Sequence, residues 1–445
     1  MASDLLSIAR SGARVARTAL DVTSSNIANA STEGYVRRSA SVGEVNTGTL
    51  NAAPTAVNLA GARITGIVRN ADAFRQSEVR RTGSDAARAS AEVAGLESVE
   101  SAVEQSGVYD AVVAFEASLK QLSSDPADGS LRAQVIEDGR TMAQTFNTAA
   151  QGLDAAAKGL QFEASDGVAQ VNTLAGELAK VNLRLMRAGG SAGDQSTLLD
   201  QRDALLQKMS DHADITTTIN ADKTVSVTLG GPTGTTLVSG AVARTLTMGT
   251  AANGTLTFAV GGAATTLSSG AIAGKAQALV ELAGARSQLD TVAGGIAAAV
   301  NTAQGSGVDL QGNAGQPLFS GTGAADIAMV ASAGSALAAA PAGAAAGSRD
   351  GSNLAAMRAA LDTADPAGAV DTLLFGVSSA VAGRTITRDA LAAISASAQT
   401  ALTAQSGVNL DDEAVNLVRF QQAYQASARV MQVATDIFDS ILALR

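Results

Sequence analysis

Leu417-Val418-Arg419-Phe420-Gln421-Gln422-Ala423-Tyr424-Gln425-Ala426-Ser427-Ala428-Arg429-Val430-Met431 is the stretch on which the architecture turns. Through it and beyond, Leu417, Phe420, Tyr424, Ser427, Met431, Ala434, Phe438 and Ile441 alternate three- and four-residue steps. Ala423, Val430, Ile437 and Leu444 recur every seven residues beside them. That period winds apolar side chains into a heptad seam along a helix running almost to the last residue. The N-terminal end repeats the device: Leu5, Ile8, Gly12, Val15, Ala19, Val22 and Asn26 form one stripe, with Leu6, Ala9, Ala13, Ala16, Leu20, Thr23 and Ile27 alongside. Domain ends are usually polar and frayed. Here they are the most regular amphipathic helices in the chain, so they want partners: each other or neighbouring subunits.

Working inward, Val135, Gly139, Met142, Phe146, Ala149, Leu153, Leu160, Val171, Leu178 and Leu185 belong to one long phase-keeping segment. Unbroken, it would be about 75 Å long; Asp166-Gly167 allows two near-collinear helices as the alternative. Val93 to Val103, Val108 to Leu122, about Ala271 to Asn301 and about Asp371 to Ala404 read as further helices of the same bundle. From Ile215 to about Leu267 the pattern changes to alternation, as in Val225-Ser226-Val227-Thr228-Leu229, which marks a small β-rich insertion. Residues 302–352 are rich in Gly, Ala and Ser and read as loop or loosely folded surface, with strand-like pieces near Leu318-Phe319 and Ile327 to Val330. The expected fold is mainly α with a small β-rich insertion, an elongated multi-domain rod. Its units are a paired terminal domain (1–45 and 405–445), a helical bundle (46–210, 271–305 and 353–404) and a β-rich outer domain (211–270 with part of 306–352).

The 445 residues, 46% of them hydrophobic, are enough for a real core divided into roughly two to four domains. A net charge of -10 and a pI near 4.7 repel a phosphate backbone, which argues against nucleic acid as a partner. Aromatic content of 3% with no Trp disfavours an aromatic-lined ligand pocket, and the absence of Cys removes disulfides, thiolate metal sites and a Cys nucleophile. Asp4, Arg10, Arg14 and Arg17 break the N-terminal stretch, so it has no secretory n- and h-region. No run of about 18 apolar residues is read, so no membrane insertion is expected.

Little catalytic chemistry is legible. Gly189-Gly190-Ser191-Ala192-Gly193 fits G-x-S-x-G, with Asp200, Asp203 and the sole histidine, His212, downstream. A nucleophile elbow needs a strand before it, whereas this cluster follows a long helix and reads as a connector. Gly270 to Ala276 lacks the spacing and hydroxyl of a phosphate loop and reads as a helix start. With one His and no H-E-x-x-H, zinc is not expected. Asp411-Asp412-Glu413 lacks the glycine of a calcium loop and reads as acidic charge at a helix N-terminus. No catalytic residue, cofactor or metal is assigned, and the chain is read as a non-enzyme.

Two terminal segments carry a resemblance. Ser25-Asn26-Ile27-Ala28-Asn29-Ala30-Ser31-Thr32-Glu33-Gly34-Tyr35 resembles the signature shared by flagellar rod, hook and hook-associated proteins. Asn26 and Asn29 share a helix face there, Gly34 can take the positive φ that ends a helix, and Tyr35 offers a ring with a polar tip. Ser406-Gly407-Val408-Asn409-Leu410-Asp411-Asp412-Glu413, followed by Arg419-Phe420-Gln421-Gln422-Ala423-Tyr424, is similar to the C-terminal signature in its hook-associated form. Leu198-Leu199-Asp200-Gln201-Arg202-Asp203 and Asp309-Leu310-Gln311-Gly312-Asn313 resemble the first hook-associated proteins more than hook or rod subunits.

The resemblance implies a structural subunit exported by the flagellar type III apparatus and assembled outside the cell at the hook–filament junction. Its implied partners are itself, hook protein, hook-associated protein 3 and a flagellar export chaperone. The residues expected to carry assembly are Leu5, Ile8, Val15, Val22, Asn26, Asn29, Gly34, Tyr35, Asn409, Leu417, Phe420, Gln421, Tyr424, Met431, Phe438 and Ile441. The terminal helices are expected to be weakly ordered alone and to order on docking. Competing readings are a hook or distal rod subunit, a secreted adhesin or translocator, and a hydrolase built on Ser191.

Overall fold

The computed structural model describes residues 2–32, 34–46, 59–188 and 192–443. The Ser191 pattern and Leu444 therefore lie outside the described residues, as does the side chain of Ile441. The chain opens with α1 (Ala2–Ala28) and turns into a hairpin of β1 (Arg38–Asn46) and β2 (Leu59–Arg69). It then builds a helical body from α2 (Ala73–Glu104), α3 (Val108–Leu122), α4 (Gly129–Arg187) and α5 (Ala192–His212). The hairpin was not foreseen: residues 46–69 were read with the helical bundle. Its strands, Arg-Ser-Ala-Ser-Val-Gly-Glu-Val-Asn and its partner, lack a regular apolar alternation and are pinned by tertiary contacts instead.

Asp72 caps α2 by accepting from the backbone N–H groups of Phe74 and Arg75, and Asp128 caps α4 through Ser130 and Leu131. α4 is one helix of 59 residues, roughly 90 Å long at about 1.5 Å of rise per residue. It passes through Asp166-Gly167 without a break because Gly167 faces α6 (Ala271–Gly305), where an added Cβ would sit 3.0 Å from Ile272 Cγ1. Close approach governs the α2–α6 crossing as well. A Cβ on Gly274 would lie 2.1 Å from the Arg88 carbonyl oxygen, and one on Gly95 2.4 Å from Ala278 Cβ.

The β-rich insertion holds two antiparallel sheets. One runs in order β3 (Ile215–Ile219), β4 (Val225–Leu229), β5 (Thr235–Ser239), β6 (Val242–Ala243); the other is β7 (Leu246–Thr250), β8 (Leu256–Val260), β9 (Ala263–Thr265). Alternation in β4 buries Val225, Val227 and Leu229 against the second half of α4. Two asparagines of α4 dock the insertion. Asn182 donates to the carbonyls of Val225 and Gly240 and accepts from Val225 N–H; Asn172 brackets Leu246 in the same way.

α6 (Ala271–Gly305) returns to the body, and the chain then enters the segment read as loose surface. The structure places strands at the two strand-like pieces expected there and corrects the rest of that reading, since the segment is packed into the core. It contains β10 (Gly307–Val308) paired with β13 (Ala340–Pro341), and β11 (Phe319–Ser320) paired with β12 (Ala328–Met329). Leu318, Phe319, Ile327 and Leu337 are buried in the main core beside Phe115, Phe146 and Leu289. Polar side chains from the helices hold this irregular backbone. Arg132, fully buried, donates to the carbonyls of Pro126, Gly334 and Leu337; Asn301 accepts from Leu318 and Phe319 N–H; Gln304 ties Ala336 to Ala338. Each satisfies a buried peptide group that a helix or sheet would otherwise supply.

α7 (Ser352–Ala364), α8 (Pro366–Ser406) and α9 (Leu410–Ala443) close the chain. α8 lies along α2, and α9 along α1. Within the helical stretch Ser352–Ser440 one 18-residue window reaches a mean hydropathy of 1.2 and is 17% buried. By length and composition alone that helix could cross a membrane, which corrects the expectation of no such run. Alanine, valine and leucine raise the average there although glycine, serine and threonine interrupt every apolar stretch.

Candidate assembly interface at the paired chain ends

α1 and α9 lie antiparallel, with Gly12 against Ser427: a Cβ on Gly12 would be 3.0 Å from Ser427 Oγ. The stripe that α1 buries is Ala9, Ala13, Ala16 and Ala19, continued by Val22, Thr23 and Asn26. Leu5 and Ile8, expected in the seam, are exposed instead, and Val15 is half-buried. Small side chains let the two helix axes approach closely, so the alanine stripe wins the contact. On α9 the sheltered face is Leu417, Phe420, Ser427, Ala428, Met431 and Ala434, which matches part of the expected seam. Tyr424 and Phe438 stand largely open, Phe438 at 55% exposure. Gln421 is exposed.

A second apolar stripe on α9 was read only in part, as Val430 and Ile437 flanking the seam. Val415, Val418, Val430, Val433 and Ile437 are all exposed, Val433 at 56%. With Gln422 and Ala426 they follow three- and four-residue steps on the side away from α1. Because the helices are antiparallel, Val433, Ile437 and Phe438 share the free end of the pair with Leu5, Leu6 and Ile8. The signal was present in the spacing, but Gln422 and Ala426 diluted its centre.

The other end is polar and closed. Asn26 Nδ2 donates to the Arg38 carbonyl at 2.8 Å, while its Oδ1 accepts from Arg38 N–H at 3.0 Å and from the Tyr35 hydroxyl at 2.8 Å. Asn26 thus pairs with Arg38 as a strand residue would. Tyr35 also lies under the Arg38 guanidinium, 5.1 Å from ring centre to Cζ. Asn29 secures the turn by donating to Ser25 O and accepting from Thr32 Oγ1. Gly34 takes φ +77° with Ala204 close by, a conformation costly for any residue with a Cβ. Asn409 caps α9 through Asp411 N–H.

Glu413, read as simple N-terminal charge, is buried and ion-paired to Arg37 at 2.6 Å. The aspartates of Leu198–Asp203 prove equally structural. Arg38 reaches Asp200 at 2.9 Å, Arg69 spans Asp200 at 2.6 Å and Asp203 at 3.0 Å, and Arg202 holds Asp203 at 2.7 Å. This buried cluster fastens the hairpin, and through Asn26 the terminal helices, to α5. Asp200, Asp203 and His212 are therefore not brought together as a relay. His212 ends α5, where burial, opposed mainly by Asp211, lowers its pKa. No group of three or more His, Cys, Asp or Glu side chains with metal-holding geometry occurs among the described residues.

Comparison with known proteins falls on the same segments. The model of the flagellar hook-associated protein FlgK helical domain matches residues 93–319, just over half of the chain. The flagella basal body rod protein model matches 6–35, and that of the flagellar basal body rod FlgEFG protein C-terminal matches 398–444. The chain is 27% identical over 248 residues to flagellar hook-associated protein 1 of Salmonella typhimurium, covering 55% of this chain and 44% of that protein. To the protein of that name from Escherichia coli K12 it is 26% identical over 335 residues, covering 71% and 60%. To that of Bacillus subtilis 168 it is 28% identical over 222 residues, covering 48% and 44%. It thus spans about half the length of the curated relatives it matches. Among solved structures, the flagellar hook junction protein FlgK from Burkholderia pseudomallei is similar at 24% identity and a TM-score of 0.49, over 54% of this chain and 46% of that one. The chain belongs to the flagellar hook-associated protein FlgK family.

Proposed function

We propose that this chain is a structural subunit of the bacterial flagellum that joins hook to filament by packing its paired terminal helices against sister copies. The observation that carries the reading is the open apolar end of the α1–α9 pair, opposite a base held by hydrogen bonds and ion pairs. Fully burying one large apolar side chain yields about 1.5–3 kcal/mol. Val430, Val433, Ile437 and Phe438 on α9, with Leu5, Leu6 and Ile8 on α1, would therefore supply a substantial gain only when neighbours cover them. Contacts of this head-to-tail kind propagate along an axis instead of closing as a dimer.

On this reading Asn26, Asn29, Gly34, Tyr35 and Asn409 act within the subunit, fixing the direction in which the pair leaves the body. Leu417, Phe420 and Met431 hold α9 to α1, while Tyr424 and Phe438 face sister molecules. The partners are further copies, hook protein and hook-associated protein 3. Export through the type III apparatus with a chaperone, and an extracellular place at the junction, follow from the family resemblance. No catalytic role is assigned.

Phe438→Asp tests this. Because the ring is exposed, the variant should fold with a stability change within about 0.5 kcal/mol, yet fail to enter hook–filament structures, leaving cells non-motile. Normal filament growth by a Phe438→Asp strain would contradict the scheme. Recovery of the chain in purified hooks lacking filaments, but never at their distal end, would favour the hook or rod reading.

A further inference from the structure

A cleft of about 390 Å³ opens between the helical body and the β-rich insertion, beside but separate from the terminal pair. Arg80 and Ser84 of α2 line it with Asp214, Thr217 of β3, and Ser268. Among the described residues four buried side-chain atoms lack a hydrogen-bond partner, and two of them, Ser84 Oγ and Asp214 Oδ1, lie in this one cleft. Arg80 is only 9% exposed, and its one side-chain hydrogen bond among the described residues is a long 3.5 Å contact to Thr217 Oγ1. A guanidinium offers five N–H donors and seldom stays buried without a partner for them.

Charge counting sharpens the point. Arg38, Arg69 and Arg202 ion-pair with Asp200 and Asp203, which leaves Arg80 without a carboxylate partner of its own. Three guanidiniums thus hold Asp200 and Asp203, while Arg80 faces the cleft that Asp214 also lines without an ion pair between them among the described residues. Burial lowers the Arg80 pKa; Asp203 opposes that and Arg202 adds to it. Across the cleft, burial raises the Asp214 carboxyl, whose Oδ2 accepts from Ser268 Oγ at 2.7 Å. An added anion would meet the unused donors of Arg80 and Ser84, and a phosphate that keeps one proton would donate it to the unpartnered Asp214 Oδ1.

We propose that this cleft binds one oxyanion of phosphate size, held by the Arg80 guanidinium and the Ser84 hydroxyl. The site is independent of the assembly reading. Charge-assisted hydrogen bonds of this kind are about twice as strong as neutral ones, which gives Arg80 the leading role.

Calorimetric titration of the full chain with inorganic phosphate, against chloride at matched ionic strength, tests the proposal. A saturable heat with one site per chain is expected, weakened roughly tenfold or more in Arg80→Gln and partly retained in Arg80→Lys. Ser84→Ala, which leaves the guanidinium in place, should weaken it by a smaller factor. Acetate arm: competition with phosphate would point to a carboxylate, such as an acidic side chain of a second copy, and lack of competition to a free tetrahedral anion; both support an oxyanion site. Phosphate behaving as chloride does in the wild-type chain would overturn the proposal, as would undiminished binding by a folded Arg80→Gln protein. Either result would leave a cleft filled by water.

Discussion

The two ends of the α1–α9 pair are built on opposite principles. At the base, Asn26, Tyr35, Arg37, Arg38, Arg69, Asp200, Asp203 and Glu413 form a mostly buried network. At the free end, Leu5, Leu6, Ile8, Val433, Ile437 and Phe438 face outward. Directional polar contacts fix one geometry, whereas apolar burial is non-directional and asks only for a surface. The difference teaches a division of labour: the base sets where the pair points, and the tip remains available to whatever covers it.

The sharpest way to break the comparison is at the base. Arg69→Ala removes the one guanidinium that bridges Asp200 and Asp203, leaving them to Arg38 and Arg202, and the loss of two charge-assisted hydrogen bonds should cost about 3 kcal/mol in urea unfolding; a cost below 1 kcal/mol would mean the network is not what fastens the hairpin. Asn26→Ala removes three hydrogen bonds and strands the Arg38 peptide group. It should cost about 2 kcal/mol and free the terminal pair from the body, visible as faster amide exchange in α1 with the α2–α6 core unchanged. Midway along the pair, Ala16 is 3% exposed, so Ala16→Leu should overpack the alanine seam by about 1–2 kcal/mol. At the tip, Val430→Ser should shift the unfolding midpoint of the free subunit by almost nothing, within about 0.5 kcal/mol. A large destabilisation there would show that the stripe already has a partner within one chain.

The sequence made the regular parts legible and hid the parts that depend on distant side chains. Three- and four-residue spacing placed both terminal helices and α4, and alternation around Val225 to Leu229 placed the insertion. It did not reveal which stripe of α1 is buried, because Ala9, Ala13 and Ala16 offer less hydropathy contrast than Leu5, Ile8 and Val15. The hairpin at 38–69 was missed since its strands owe their place to Arg38 and Arg69 reaching Asp200 and Asp203, more than 130 residues away in the chain. The segment after α6 looked loose because its order comes from Arg132, Asn147, Asn301 and Gln304 on helices elsewhere. Leu198–Asp203 could be recognised by resemblance, yet its role as a clamp needed the fold.

The absence of cysteine from the chain makes the central claim directly measurable. A single Val433→Cys variant that assembles can be treated with a thiol-reactive label, first as the free subunit and then within purified hook–filament structures. Burial of the outer α9 stripe between copies predicts rapid labelling of the free subunit and strong protection after assembly. Equal labelling in both states would show that this stripe stays open to water in the assembled flagellum and would contradict the account.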